Sequence, residues 1–586
     1  MNLRVDSPRR IFNTFLFWRS DEYWTIMVYN MKAEMHGQES SVAKGEVFES
    51  RFTAKPTSYF DYLRRSIAPV MCAWMICAIL ATLVLQISQI SAPFTYARGF
   101  VSADVSVIAR AFEEHGILKL GGVPVRNNGQ IGPIVAAYTH WPPLSYIVLS
   151  FCFRLFGDSE ATGHAVMLAI LLLTAVGLFL VARTCLPKPG PYVVVFSWLT
   201  FELIITFSHL ISQQSFAMLF AVFAVFAFCR AVGSEQHSRA WMFVAGILAC
   251  LAVLSSWEAM FVPLGLLGST WWSGDRKAQR VAKAVALSAA ATLVFVLLLY
   301  TVQYPEIVMD TLRTASFRMG LSAQYTHARL YRDAAVNAWR PSAHQMLVMI
   351  AQHYRAMLGV MGISAVGFLI LASLDKYLRS RIPAISHPYL ALIAPWVFWY
   401  SVMWEHVADH NFELLIAAPL FALAMGCCFC RLLSWLERQE ERNAFRLFGL
   451  TLVLPFILFV PLAKAAWHSF EYNRHAPPPS QEALDQQGRW IGAVTPKNAI
   501  IIQPDESMVP VYYSRRHTVR NIINDKDLAN TLPLAVGNFP GAPIYLALTK
   551  EYAAAFRGSA ARYPLVASNS AVKLYCLTRC PSSPSR

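Results

Sequence analysis

YVVVFSWLTFELIITFSHLISQQSFAMLFAVFAVFAFC, residues 192–229, is an almost unbroken hydrophobic run. As one helix at 1.5 Å per residue it would be about 57 Å long, far more than the roughly 30 Å of a bilayer's hydrocarbon core. It must fold back on itself. The polar stretch Ser208-His209-Leu210-Ile211-Ser212-Gln213-Gln214 is the natural turn between two spans. Residues 241–272 repeat the pattern and turn at Ser255-Ser256-Trp257-Glu258. A single span there would leave Arg276, Lys277, Arg280 and Lys283 on the outer side, against the positive-inside rule.

Outward from these hairpins, apolar stretches at residues 66–91, 161–182, 281–302, 356–374, 389–404, 412–430 and 447–467 complete a polytopic α-helical membrane protein of about eleven spans. Arg51, Lys55, Arg64 and Arg65 precede the first span and place the amino terminus (residues 1–65) inside, and every inner loop is basic. The composition agrees: 56% hydrophobic, only 15% charged, mean hydropathy +0.41 over 586 residues. The net charge of +15 belongs to this topology, since Lys and Arg cluster in short loops, and not to nucleic-acid binding. Residues 11–18 are too short for a signal-peptide core with a cleavage site, so no removable targeting segment is expected, and Met31 or Met35 could be the true start.

Two outer loops interrupt the transmembrane region 66–470: residues 92–158, amphipathic and rich in Pro and Gly, and residues 303–352. Beyond Ala476-Pro477-Pro478-Pro479, residues 471–586 read as a small extracytoplasmic α/β domain. Strands are expected at 499–502, 509–513, 543–548 and 572–576, with helices at 480–492, 525–530 and 550–556. Most cysteines lie inside spans without metal-like spacing, whereas Cys576-x-x-x-Cys580 in the polar tail can close a disulfide outside the cytosol.

Threaded this way, Asp104, Glu113, Glu114, His140, His209, Glu258, Glu405, His406, Asp409, His410 and Glu413 all fall on the outer side. Ionisable groups at a membrane boundary are costly, so their collection on one face marks a functional site. Val105, Ile108, Ala109 and Phe112 recur at helical spacing, which makes Asp104 the start of an amphipathic helix lying in the interface. The plainer alternative is a helix amino-terminal residue, with Glu113 and Glu114 solvated. Thr139-His140-Trp141-Pro142-Pro143-Leu144 requires an extended entry before the next helix. His406, Asp409, His410 and Glu413 can share a helical face. Two His four residues apart beside acids also fit a metal site.

An Asp in the first outer loop, His-x-Pro-Pro-Leu before an aromatic Phe156-Gly157 segment, the turns His209 to Ser215 and Ser256-Trp257-Glu258-Ala259, and His406-x-x-Asp409-His410-x-Phe412 before Ala417-Ala418-Pro419 together carry a resemblance. The chain is similar, over roughly residues 66–470, to the GT-C superfamily of polyprenyl-phosphate-sugar glycosyltransferases. The resembling branch is that of protein O-mannosyltransferases and aminoarabinose transferases (glycosyltransferase family 39). It departs from the usual Asp-Glu of the first loop, since Asp104 is followed by Val105.

The resemblance implies inverting transfer outside the cytosol, with Asp104 as general base toward the acceptor hydroxyl. The departing lipid phosphate needs positive charge, for which Arg313, Arg318, His327, Arg329, Arg332 and Arg340 of the second outer loop are candidates. Trp257 and Glu258 would stack on and orient the sugar, with an interfacial Trp beside a solvated acid as the plain alternative. His140, His209, His406, Asp409 and His410 would contact substrate. No cofactor or catalytic metal is expected. The implied partners are a polyprenyl-phosphate sugar, a lipid, glycan or protein acceptor, and membrane lipid, at a bacterial inner membrane with the carboxyl-terminal domain periplasmic. The competing function is a transporter with an outward-facing polar or proton site, but no inverted repeat is visible and the polar groups sit at one surface.

Overall fold

A computed structural model describes residues 59–94, 99–126, 137–305, 307–319, 344–345, 347–352, 383–436, 479–504, 507–520 and 522–578. The membrane part runs α1 (Tyr59–Ile87), α2 (Gly99–His115), α3 (Leu144–Phe156), α4 (Glu160–Cys185), α5 (Gly190–Thr200), α6 (Glu202–Phe207), α7 (Gln213–Gly233) and α8 (Ser238–Ser255). A 3-10 turn at Trp257–Met260 leads into α9 (Phe261–Ser273), α10 (Arg276–Gln303) and α11 (Ile307–Arg318). Then come α12 (Pro383–Val402), α13 (Trp404–Asp409), a second 3-10 turn (Asn411–Ala417) and α14 (Ala418–Leu436).

Both expected turns fall at breaks between helices. The first run breaks at Phe201 and turns at residues 208–212 before α7; the second turns at Ser256 between α8 and α9. Six helices among the described residues are long and apolar enough to cross a membrane, and α3 and α5 are shorter apolar helices. The expected spans at 356–374 and 447–467 lie outside the described residues, as do His327, Arg329, Arg332 and Arg340.

Local chemistry fixes several ends. Ser159 accepts a hydrogen bond from the Thr162 amide at 3.2 Å, and Asp275 accepts from the Lys277 and Ala278 amides, each cap contributing about 1 kcal/mol. Gly274 closes α9 in the left-handed region (φ 71°). α7 packs on α8 and α4, and α9 on α12. A Cβ at Gly265 would lie 2.1 Å from the Leu390 carbonyl oxygen, so α9 and α12 meet backbone to backbone. Among the described spans Phe412–Arg431 is the most interior, 83% of its apolar window being buried against 17% for Ile67–Ile87.

The carboxyl-terminal elements are α15 (Pro479–Val494), β1 (Ile500–Ile502), α16 (Val509–Ser514), β2 (His517–Val519), α17 (Asp525–Asn538), β3 (Ile544–Thr549), α18 (Arg557–Arg562), β4 (Leu565–Ser568) and β5 (Val572–Cys576). The sheet order is β2-β1-β3-β5-β4, parallel through β2, β1 and β3 and antiparallel from β3 to β5 and β4. Side chains alternate across it. Ile500, Ile502, Leu546 and Leu548 join a core with Val105, Phe112 and Tyr146, while Ile501, Tyr545 and Ala547 pack on Ile491.

Two local expectations are corrected here. Residues 509–513 form a helix and not a strand: Pro510 suits a first turn, and the chain then reverses at Arg515 (φ 51°) into the unexpected strand β2. Residues 550–556 are turns, and the helix begins only at Arg557. Cys576 is disulfide-bonded, and Cys580 lies outside the described residues.

Candidate active site

Helix α2 carries Asp104 inside the protein. It is buried from Ser102 to Phe112, packed against α3 and α16. Asp104 does not begin this helix, as its spacing suggested, because the helix already starts at Gly99; the Arg110 side of α2 is covered by the carboxyl-terminal elements. Arg110, a turn and a half beyond Asp104, pairs with Asp158 at 2.5 Å, donates to the Tyr512 carbonyl at 3.0 Å and stacks 4.5 Å from the Tyr512 ring. Glu113 and Glu114 are exposed, as the solvated reading holds. Partial desolvation on its protein-facing side raises the Glu114 carboxyl, with the Arg110 charge opposing.

Asp104 is buried and accepts from Arg126 Nη2 through Oδ2 at 2.6 Å. Its Oδ1 has no hydrogen-bond partner among the described residues, and neither has Arg126 Nε. The Arg126 guanidinium lies 3.6 Å over the Tyr138 ring. Burial pushes the Tyr138 hydroxyl up to about 12 against the pull of Arg126, so it is a neutral donor near neutral pH. The opposing bridge Val125–Ala137 holds this pair of residues together across the loop.

From Tyr138 the chain leads directly to a second polar cluster. The His140 ring is 4.9 Å from Tyr138, and its carbonyl accepts from Trp257 Nε1 at 2.7 Å. Trp141 lies 6.0 Å from Trp399 and 6.1 Å from His406. Trp399, His406 and Gln214 surround the fully buried Glu413: Gln214 Nε2 and Trp399 Nε1 donate to it at 2.8 and 3.2 Å, and His406 Nε2 sits 3.1 Å from Oε1. Glu258 is equally buried, bonded by the Ser256 hydroxyl through Oε2, with Oε1 lacking a partner among the described residues. Burial first, then the charge of Glu413, raises Glu258 to about 8.

The expected helical face of His406, Asp409, His410 and Glu413 is corrected. α13 stops at Asp409, and His406 reaches Glu413 only because the 3-10 turn folds back over it. His406 and His410 rings are 4.3 Å apart. The side chains of Glu405 and Asp409 lie outside the described residues. His209 keeps different company: its ring is 5.9 Å from His164, and burial lowers it to about 3, so it is neutral. Among the described residues no contact ties it to the carboxylates. Arg313 is exposed, whereas half-buried Arg318 is near enough for its charge to act on Tyr138 and Glu413.

Arg126, Tyr138, Gln214 and Trp399 are not among the site residues that the sequence points to, whereas Glu413 belongs to the His406–Glu413 cluster read there. No local motif singles out Arg126; its role arises from a contact across 22 positions.

The family model described as dolichyl-phosphate-mannose-protein mannosyltransferase matches residues 140–304, which include His140, Trp257 and Glu258. No curated protein matches the sequence. Among solved structures, ArnT from Cupriavidus metallidurans bound to undecaprenyl phosphate superposes with a TM-score of 0.57 at 12% identity, covering 88% of this chain and 99% of that one. The chain has a GT-C fold. The apo oligosaccharyltransferase of Archaeoglobus fulgidus shares it at TM-score 0.52 and 13% identity, covering 84% and 70% of the two chains. AglB from the same organism, in complex with an inhibitory peptide and a dolichol-phosphate, follows at TM-score 0.50 and 12% identity, covering 86% and 74%. The apolar helices and this GT-C architecture make the chain an integral membrane protein.

Proposed function

We propose that this protein is a membrane glycosyltransferase that moves a sugar from a polyprenyl-phosphate donor to an acceptor at the exoplasmic face, with inversion and with Asp104 as general base. The observation that carries the reading is the buried Asp104, one oxygen anchored by Arg126 and the other without a hydrogen-bond partner among the described residues, beside an aromatic-walled polar cluster. Undecaprenyl phosphate in the ArnT structure and dolichol-phosphate in the AglB complex support a polyprenyl-linked donor. The inhibitory peptide in the latter supports an acceptor bound alongside the lipid-linked donor.

In this reading the acceptor hydroxyl gives its proton to Asp104 as its oxygen attacks the anomeric carbon. The sugar–phosphate bond breaks, and the lipid phosphate leaves as an anion that needs no proton from a strong acid. Arg318 supplies positive charge to the leaving phosphate, aided by Arg313, Arg329 and Arg332 of the same loop. Trp257, its indole nitrogen fixed by the His140 carbonyl, offers a ring face to the sugar, and Glu258 accepts from sugar hydroxyls. His406, Asp409 and His410 border the acceptor, and His209 lies at the edge of the site. Asp104→Asn keeps the side chain's shape and removes the proton acceptor. It is expected to abolish transfer with expression and folding intact; retained turnover removes Asp104 as the base.

The residues divide, on this proposal, into a cytoplasmic segment 1–65, a transmembrane region 66–470 and a soluble domain 471–586. The amino terminus is inside, the soluble domain periplasmic, and the membrane a bacterial inner membrane. A transporter is less well supported, because the buried Glu258 and Glu413 sit in 3-10 turns at helix ends and not along mid-span faces.

A further inference from the structure

Arg126 is committed to Asp104 by a 2.6 Å charge-assisted bond, yet a carboxylate that must accept a proton works best with that charge withdrawn. Among the described residues Asp104 is the hydrogen-bond partner of this guanidinium. Its Nε has no hydrogen-bond partner among the described residues, its plane rests on the Tyr138 ring, and its side chain keeps 22% exposure against 12% for Asp104. A planar fork with an unused donor, supported on an aromatic face, can turn from one oxyanion to another without losing its stacking. Arg318 acts on Tyr138 from another element, so a second positive charge stands near the same ring.

We propose that Asp104 and the phosphate of the donor compete for Arg126. The arriving phosphate takes the guanidinium, and the carboxylate is released as a base only when a donor is in place. This deepens the glycosyltransferase reading and rests on it. The exchange is non-covalent: one Arg–carboxylate pair opens and one Arg–phosphate pair forms. It also accounts for a buried base that would otherwise be free to activate water when no sugar is bound. Because binding and pairing draw on the same cation, removing either competitor must strengthen the other's hold.

The test measures binding and does not require turnover. Full-length protein in detergent is titrated calorimetrically with a short-chain polyprenyl monophosphate and, separately, with inorganic phosphate. Asp104→Asn is expected to bind the lipid phosphate about tenfold more tightly than wild type, because its rival for Arg126 has lost its charge. Arg126→Gln is expected to bind it at least about tenfold more weakly, and Asp104→Asn combined with Arg126→Gln should regain nothing. Should Arg126→Gln fold poorly, Arg126→Lys retains the charge and loses the fork, and an intermediate affinity is expected. Unchanged or weaker lipid-phosphate binding by Asp104→Asn overturns the exchange, as does a gain confined to inorganic phosphate. Sugar transfer by Asp104→Asn would instead sink the general-base reading while leaving the binding comparison to stand on its own.

Discussion

Replacing Arg110 by Met removes the charge that ties α2 to Asp158 and to the Tyr512 carbonyl while keeping most of the side-chain volume. The pair is 5% and 10% exposed, and removing one partner of such a buried ion pair costs about 3–5 kcal/mol. Asp158 is not fully orphaned, since the Tyr512 hydroxyl at 3.3 Å and Arg515 at 3.4 Å remain. Arg515 is 60% exposed and replaces little of the lost interaction, so the lower end, about 3 kcal/mol, is expected. At about 1.4 kcal/mol per decade this raises local opening of α2 roughly a hundredfold. Hydrogen–deuterium exchange over residues 99–115 measures it directly. Asp158→Asn combined with Arg110→Met should lose much less than the two single losses added, because neither group is then left charged and alone. Exchange within about threefold of wild type, or strict additivity, would refute the idea that the carboxyl-terminal elements hold the Asp104 helix through Arg110.

The raised carboxyl of Glu258 fixes a pH dependence. Its folded value, about 8, lies above the ordinary 4.5, so the folded state holds a proton that the unfolded state has released between those values. Stability should therefore fall as pH rises from about 4.5 to about 8 and level off above, and Glu258→Gln should flatten that slope in thermal unfolding scans; an unchanged slope contradicts the assignment. Gly265→Ala places a methyl against the Leu390 carbonyl and should destabilise by about 1–3 kcal/mol. Gly268→Ala on the same helix meets nothing within 4 Å and should be neutral or stabilising by up to about 1 kcal/mol. Equal melting shifts for these two variants would mean that α9 and α12 are not in backbone contact.

The sequence by itself determined the membrane architecture. Hydrocarbon leaves a spanning backbone no partner but its own helix, so the length of the apolar run 192–229 excludes a single straight span, and Lys and Arg placement gives an expectation for the sides. Those rules are local and one-dimensional, and the turns at residues 208–212 and 256–260 follow from them. The family resemblance rests instead on short motifs, and His140, Trp257 and Glu258 among them lie within the matched segment 140–304. What only tertiary structure decided is which charges face each other. The pairing of Asp104 with Arg126, the enclosure of Glu413 by Gln214, Trp399 and His406, and the burial of α2 beneath Tyr512 all join residues distant in the chain. Helical periodicity gives the face on which a residue lies but not what covers that face. That is why the cover over α2 is not legible in its own spacing, and why residues 509–513, suited by composition to a strand, form a helix where Pro510 opens the turn that packs on it.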